Sequence, residues 1–88
     1  MKTCACCGYK TLDINKLFGT CEICHWEDDP IQSIDPDCDF GTNEDITLRE
    51  AQKNFLEFGA IRKDFIESVR SPSESDVKDE YFSFLIDL

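Results

Sequence analysis

The clearest pattern of apolar and polar positions in this chain begins at Thr47. Apolar side chains recur there at helical spacing and would share one face of a helix: Leu48, Ala51, Phe55 and Phe58. Thr47 and Glu50 have the spacing of a capping box, in which each side chain binds a backbone amide at the start of a helix. Gly59 supplies the left-handed residue that commonly ends one. The pattern predicts a helix from Thr47 to Gly59 that packs its stripe into the core.

Weaker patterns lie on either side of this helix. A second short helix is predicted over roughly residues 61–69, ended by Ser71-Pro72, with these residues facing inward: Ile61, Phe65, Ile66 and Val69. Residues 1–26 predict short strands, for which the candidate core contacts are Leu12, Ile14, Leu17 and Trp26. Because Trp26 follows a cysteine pair, its ring is also a candidate shield for a bound ion.

Three segments show no strong periodicity. Residues 27–45 are acidic and contain the breakers Pro30, Pro36 and Gly41, so a loop with little regular structure is expected. Residues 73–80 are polar and expected to be mobile. The run from Tyr81 to Leu88 is strongly apolar, and we expect it either to fold back onto the core or to dock on a partner.

Two cysteine pairs add candidate chemistry to this pattern. Cys4 and Cys7 form one pair and Cys21 and Cys24 the other, each with the two-residue gap that lets a tight turn aim both sulfurs at one ion. Four thiolates in tetrahedral array predict a structural Zn²⁺ site with no open position for water or substrate. Iron remains an alternative because it accepts the same ligands. In a chain this small the metal is expected to be required for folding.

Other interpretations of the cysteines fit less well. No apolar signal segment precedes the first pair and no stretch would span a membrane, so a reducing, cytoplasmic location is expected and a disulfide framework is disfavoured. A thioredoxin-like motif would need strand and helix context, whereas Gly8 and Gly19 indicate turns. Cys6 or His25 could replace one of the four ligands, and Cys38 is interpreted as a semi-buried thiol.

The charge distribution limits the class of partner. The chain of 88 residues has 19 acidic and 9 basic side chains and a formal net charge of −10. No lysine or arginine lies between Lys16 and Arg49, which argues against binding to nucleic acid. The charge is consistent with simple solubility or with steering toward a basic protein. The candidate partner-binding residues are Glu27, Asp28, Asp29, Asp35, Asp37 and Asp39.

Motifs for catalysis or calcium binding are incomplete. His25-Trp26-Glu27 matches half of a zinc deaminase signature, but the downstream Pro-Cys-x-x-Cys is missing. The alternating Asp35, Asp37 and Asp39 resemble a calcium loop, yet Ile46 stands where a bidentate glutamate is needed. We therefore expect no enzymatic activity.

Together these observations predict a small α+β fold in which a zinc-ribbon-like N-terminal module packs against one or two C-terminal helices. The expected organisation is a single domain, 1–88, with a zinc-knuckle module (1–29), an acidic loop (30–46), a helical segment (47–70) and a C-terminal tail (71–88).

The chain also resembles the bacterial cysteine-rich CPCC family. The resemblance covers about residues 4–72 and rests on the following matches: Cys4-Ala5-Cys6-Cys7, Gly8-Tyr9, residues 21–30, Asp35-Pro36-Asp37, Leu48-Arg49-Glu50-Ala51, Phe58-Gly59-Ala60 and Val69-Arg70 before Pro72. Ala5 and Glu22 depart from the family pattern, since both replace a proline. The resemblance implies a zinc-knuckle protein and no settled activity.

The function expected from the sequence is a protein-interaction module. Its most specific form is an immunity or inhibitor protein that neutralises a basic partner such as a nuclease toxin. The alternatives are a zinc-ribbon adaptor in a nucleic-acid-associated complex and a structural zinc protein without a partner.

Overall fold

Short elements joined by well-bonded turns form an α+β fold in the computed structural model, which describes residues 1–85. Strand β1 (Lys2–Thr3) pairs antiparallel with β2 (Lys10–Leu12), and these are followed by helix α1 (Pro30–Ile34), helix α2 (Leu48–Phe58) and a 3₁₀ helix (Lys63–Ser68). Within the described residues, no helix is long and apolar enough to cross a bilayer.

Helix α2 confirms the strongest prediction from the sequence. The backbone amide of Glu50 donates to Oγ1 of Thr47 at 3.0 Å, and the amide of Thr47 donates to the Glu50 carboxylate at 3.2 Å. Gly59 ends the helix with φ of 84°. Leu48 and Ala51 are buried, whereas the two phenylalanines of the stripe are only half-buried. The helix therefore starts and ends where its capping residues predict.

The core lies where helix α2 meets the N-terminal cysteine segments. Its buried members are Cys4, Cys6, Cys7, Leu12, Cys21, Ile23, Cys24, Trp26, Ile46, Leu48, Ala51 and Ile61. Five of these twelve are cysteines, so sulfur replaces much of the hydrocarbon that a domain of this size would otherwise bury.

Two predicted core contacts were wrong. Ile14 is 75% exposed and Leu17 is 72% exposed, whereas Leu12 is 2% exposed. Strand β2 ends at Leu12, and the chain then makes consecutive turns, the first of them closed by a hydrogen bond from the amide of Lys16 to the carbonyl of Asp13 at 3.1 Å. Apolar residues in these turns lie outside the core.

The second predicted helix is shorter and differently wound. It spans Lys63–Ser68 as a 3₁₀ helix, and no side chain in that span is fully buried. Ile61 is buried ahead of it, but Ile66 is 44% exposed, contrary to the prediction. Since a 3₁₀ helix has about three residues per turn, positions chosen for a 3.6-residue period do not share its face.

The acidic segment contains a helix that the sequence analysis did not predict. Asp29 caps helix α1, because its Oδ1 accepts hydrogen bonds from the amides of Ile31 and Gln32 at 2.9 and 3.2 Å. Pro30 was interpreted as a breaker, although proline at the first helical position is favourable. The loop is more ordered than its composition indicates.

The segment after residue 73 is bonded to the N-terminal strands, contrary to the expectation of mobility. The amide of Lys10 donates to the carbonyl of Val77, and the amide of Asp79 donates to the carbonyl of Gly8, both at 2.8 Å. The apolar run then folds back onto the core, where Phe84 is 8% exposed. Residues 86–88 of that run lie outside the described residues.

Candidate metal centre

The first cysteine turn (residues 4–9) is a tight loop closed by two backbone hydrogen bonds. The amide of Gly8 donates to the carbonyl of Cys4, and the amide of Cys4 donates to the carbonyl of Tyr9, both at 2.9 Å. Gly8 has φ of 83°, and a Cβ atom at this position would lie 2.4 Å from the ring of Phe82. Glycine is therefore required by both the backbone conformation and the close approach of the tail.

The second cysteine turn (residues 21–26) repeats this backbone. The amide of His25 donates to the carbonyl of Cys21 at 2.8 Å, and the amide of Cys21 donates to the carbonyl of Trp26 at 2.9 Å. His25 takes the place of the glycine with φ of 76°, an uncommon conformation for a residue with a side chain. Its ring stacks on Phe65 at a centroid distance of 4.0 Å. This contact holds the strained turn against the 3₁₀ helix.

The two turns bring four sulfur atoms together. The Sγ atoms of Cys4 and Cys24 are 3.6 Å apart, those of Cys7 and Cys21 are 3.7 Å apart, and all four lie within 4.8 Å of one another. A tetrahedral ion with metal–sulfur bonds of about 2.3 Å requires sulfur–sulfur distances of about 3.8 Å. The observed spacing fits such an ion.

The same distances exclude disulfide bonds within the cluster. A disulfide needs a sulfur–sulfur distance of about 2.05 Å, and all six cysteines of the chain are free. Despite its many cysteines, the chain therefore does not form a disulfide framework.

Electrostatics favour a cation at the centre of the cluster. Hydrogen bonds from Cys24 and Cys4 lower the pKa of the Cys21 thiol, whereas burial raises the pKa of Cys24. The hydrogen bond with Cys21 is the largest of the effects that raise the pKa of Cys4. One thiolate thus forms at the expense of its neighbours, since like charges at these distances oppose one another. A divalent cation would allow all four sulfurs to ionise together.

Two further groups donate hydrogen bonds to the sulfurs. The hydroxyl of Thr11 donates to Sγ of Cys21 at 3.0 Å, and the amide of Trp26 donates to Sγ of Cys24 at 3.5 Å. Such donors stabilise thiolate charge and orient metal ligands. Trp26 is fully buried beside the cluster, and its indole donates to Ser33 at 3.0 Å. Sequence reasoning missed Thr11, which no spacing motif marks.

The equivalence of the turns explains the extra cysteine. Cys6 is the third residue of the first turn, and Ile23 is the third residue of the second; both are fully buried. Burial is the main cause that raises the pKa of the Cys6 thiol. Cys6 is not one of the four sulfurs that all lie within 4.8 Å of one another, but its thiol contacts that of Cys24 from a core position.

His25 and Cys38 also lie outside that group. The His25 ring contacts Phe65 as described, which is consistent with an orienting contact rather than metal ligation. Cys38 is 6% exposed, and its thiol donates to the carbonyl of Phe40 at 3.2 Å.

Elements distant in sequence hold the turns in place. The side-chain amide of Gln52 donates to the carbonyl of Ala5 at 2.9 Å, and its oxygen accepts from the amide of Leu85 at 2.8 Å. The amide of Ile61 donates to the carbonyl of Cys24 at 3.0 Å. Helix α2, the segment after it that contains Ile61, and the tail therefore all contact the cysteine turns.

Two of the candidate partner-binding acids, Asp28 and Asp29, lie inside the fold. Asp28 and Asp29 are each 6% exposed. Asp28 accepts from Lys2 at 2.7 Å, and Oδ2 of Asp29 accepts from the amide of Thr42 at 3.1 Å. Both carboxylates therefore accept hydrogen bonds from other segments of the fold.

The other candidate acids remain at least partly accessible. Asp35 and Asp39 are exposed, and Glu27 is half-buried. Asp37 is exposed and forms a two-point ion pair with Arg49, with contacts of 2.9 and 3.3 Å. The accessible acids thus lie mainly after helix α1.

Comparison with known proteins identifies a cysteine-rich family that includes the segment with both cysteine turns. No curated protein matches the sequence. The family model described as "Cysteine-rich CPCC" matches residues 2–76, which include both turns and helix α2. The chain therefore belongs to the cysteine-rich CPCC family.

Proposed function

We propose that this chain is a non-catalytic protein-interaction module held together by a structural Zn²⁺ ion and directed at a basic protein. Metal binding is supported by the group of four buried sulfurs, whose spacing fits a tetrahedral ion. Cys4, Cys7, Cys21 and Cys24 would hold the ion. Coordination by four thiolates leaves no open position, so the ion supplies stability and not Lewis-acid chemistry.

The partner class is argued from charge. The chain has a net charge of −10, and the segment without lysine or arginine contains several exposed carboxylates, among them those of Asp35 and Asp39. Besides the acids named above, Glu44 and Asp45 are exposed, with side-chain exposures of 80% and 90%, and Arg62 lies 3.6 Å from each carboxylate. Such a surface attracts cationic proteins and repels polyanions.

The most specific form of this proposal is an immunity or inhibitor protein. A nuclease has a positive substrate groove, and the carboxylates of an inhibitor can occupy the places of phosphates there. Burial of cationic and anionic side chains against each other would fix the orientation of the complex and block the groove.

The proposal is tested with the purified protein in two steps. Elemental analysis should find one zinc ion per chain, and the Cys21→Ser variant should lose it; a folded metal-free protein would contradict the metal assignment. Affinity capture from the source cells at low and high salt should then recover a basic protein in a salt-dependent manner. Recovery of no basic protein at either salt concentration would contradict the interaction function.

The nucleic-acid adaptor is distinguished by a separate measurement. Retention of the protein on heparin or DNA columns would favour the adaptor, whereas retention on an immobilised basic protein supports the proposal. The same columns loaded with a charge-reduced variant, Glu44→Gln with Asp45→Asn, show whether retention depends on acidity.

A further inference from the structure

Helix α1 has the polarity of its faces reversed. Gln32 is fully buried, whereas Ile31 is 61% exposed and Ile34 is 83% exposed. A surface helix normally turns its apolar side inward and its polar side to water. A buried amide beside exposed isoleucines is therefore an informative departure.

The buried amide keeps this orientation fixed. The amide nitrogen of Gln32 donates to the carbonyl of Ile46 at 3.1 Å, and its oxygen accepts from the backbone and side-chain amides of Asn43 at 3.0 and 2.9 Å. Rotation of the helix to bury its isoleucines would break these bonds and strand buried polar groups. Ile31 and Ile34 therefore stay at the surface.

A third exposed apolar side chain, that of Phe40, lies in the loop that follows helix α1. Phe40 is 70% exposed. It directly precedes Gly41, where a Cβ atom would lie 2.9 Å from the side chain of Gln32 and 2.6 Å from Asp29, so the loop packs closely around the helix. Large exposed apolar side chains held on a rigid segment are typical of binding surfaces.

The charge beside these apolar residues indicates which kind of partner would bind them, a second copy of this chain or a basic protein. Asp35, Asp37 and Asp39 lie between Ile34 and Phe40 in the sequence; Asp37 is paired with Arg49, whereas Asp35 and Asp39 are exposed acids of this loop. In a symmetric dimer each residue faces the same patch of the second copy, so two such loops would bring like charges together. A basic protein gains both apolar contact and charge complementarity.

We propose that Ile31, Ile34 and Phe40 form an apolar anchor, bordered by Asp35 and Asp39, that docks on a basic segment of a partner protein that also exposes apolar side chains. This inference rests on the proposed function and locates its contact surface. The anchor supplies short-range binding energy and the aspartates supply attraction and orientation.

The test uses selection from a displayed library of random peptides against the zinc-loaded protein. Selected peptides should combine lysine or arginine with aliphatic or aromatic residues. Ile34→Ser should weaken their binding by roughly tenfold or more, as expected for an anchor residue. The matched control Ile14→Ser replaces an isoleucine with 75% exposure elsewhere on the surface and should leave binding unchanged.

A charge comparison completes the test. Asp35→Asn with Asp39→Asn should weaken binding at low salt, whereas Glu67→Gln with Glu74→Gln removes the same charge from exposed positions outside the loop and should have little effect. Circular dichroism and zinc content verify that every variant is folded.

The outcomes separate the two proposals. Basic peptides that bind Ile34→Ser as tightly as the unaltered protein would overturn the anchor while leaving an acidic interaction module intact. Selection of no basic peptide would contradict the proposed function itself, and the anchor with it. A dimer that Ile34→Ser dissociates would assign the surface to a second copy and overturn the inference.

Discussion

Gln52 donates its side-chain amide to the carbonyl oxygen of Ala5 at 2.9 Å, which ties helix α2 directly to the first cysteine turn. The side chain is 2% exposed, and its oxygen accepts from the amide of Leu85. One glutamine thus connects the helix, the metal centre and the tail, which are far apart in the sequence.

Replacement of this side chain should be strongly destabilising. In Gln52→Ala the Ala5 carbonyl and the Leu85 amide both lose their partner, so we expect unfolding free energy to fall by about 2–4 kcal/mol. Urea denaturation of the zinc-loaded protein measures this. Lys53→Ala, at an exposed position of the same helix, should change stability by less than about 0.5 kcal/mol. Similar values for both variants would contradict the bridging role.

The cysteines of the first turn should behave differently from one another. Cys7→Ser removes one of the four closely spaced sulfurs and should reduce zinc binding severely, with a large loss of folded protein. Cys6→Ala should retain one zinc ion and lose only about 1 kcal/mol of stability from reduced packing. Zinc content and the charge-transfer absorption of the cobalt-substituted protein distinguish the two. Loss of zinc from Cys6→Ala would make Cys6 a ligand.

Two glycines with nearly equal backbone angles should differ in their tolerance of alanine. Gly8 and Gly59 have φ of 83° and 84°, but a Cβ atom would meet Phe82 only at the first. Gly59→Ala should therefore cost about 1–2 kcal/mol from backbone strain alone. Gly8→Ala should cost more, because the tail must also move. Thermal unfolding of both variants measures the difference, and equal losses would show that the Phe82 contact contributes nothing.

The helix cap at Asp29 should make the free energy of unfolding depend on pH. Burial acts to raise the pKa of this carboxyl, but hydrogen bonds from Thr42, Gln32 and Ile31 outweigh it and the net pKa is lowered. The stabilisation is therefore present above the unfolded pKa of about 3.9 and is lost as pH falls through the lower folded pKa.

The measurement compares unfolding free energies of the unaltered protein and Asp29→Asn across this pH range. The difference between them should be largest near neutral pH and shrink as pH falls below about 4. Because acid would also release an ion bound by the thiolates, the difference between proteins, and not either curve alone, is the informative quantity. Asp39→Asn is the exposed control, and a constant difference for Asp29→Asn would refute the expectation.

Local features of the fold were predictable from the sequence, and long-range ones were not. Thr47, Glu50 and Gly59 define helix α2 because caps act within one turn, and the Cys-x-x-Cys spacing identifies the four sulfurs because each pair lies in a single turn. Thr11 contacts Cys21, and Gln52 and the tail contact the first cysteine turn, across gaps that no local pattern encodes.

Polarity alone gave the wrong exposure for several residues. Ile14 and Leu17 are apolar, but they lie in turns beyond the end of β2 and are exposed. Asp28 and Asp29 are charged, but they are buried, and each accepts hydrogen bonds from another segment of the chain. Apolar character predicts burial only where an element directs the side chain inward, and a carboxylate can be buried where enough donors surround it.

The hydrogen bond from the amide of Asp79 to the carbonyl of Gly8 joins two segments that lie far apart in the sequence, which bears on the order of folding. The four clustered cysteines lie within 21 residues, from Cys4 to Cys24, so a metal ion could capture them by closing a short loop. The contacts of Val77 and Asp79 with Lys10 and Gly8 require closure of most of the chain and so form more slowly. Zinc would thus nucleate the N-terminal third during synthesis, and attachment of the last segment would complete the native state.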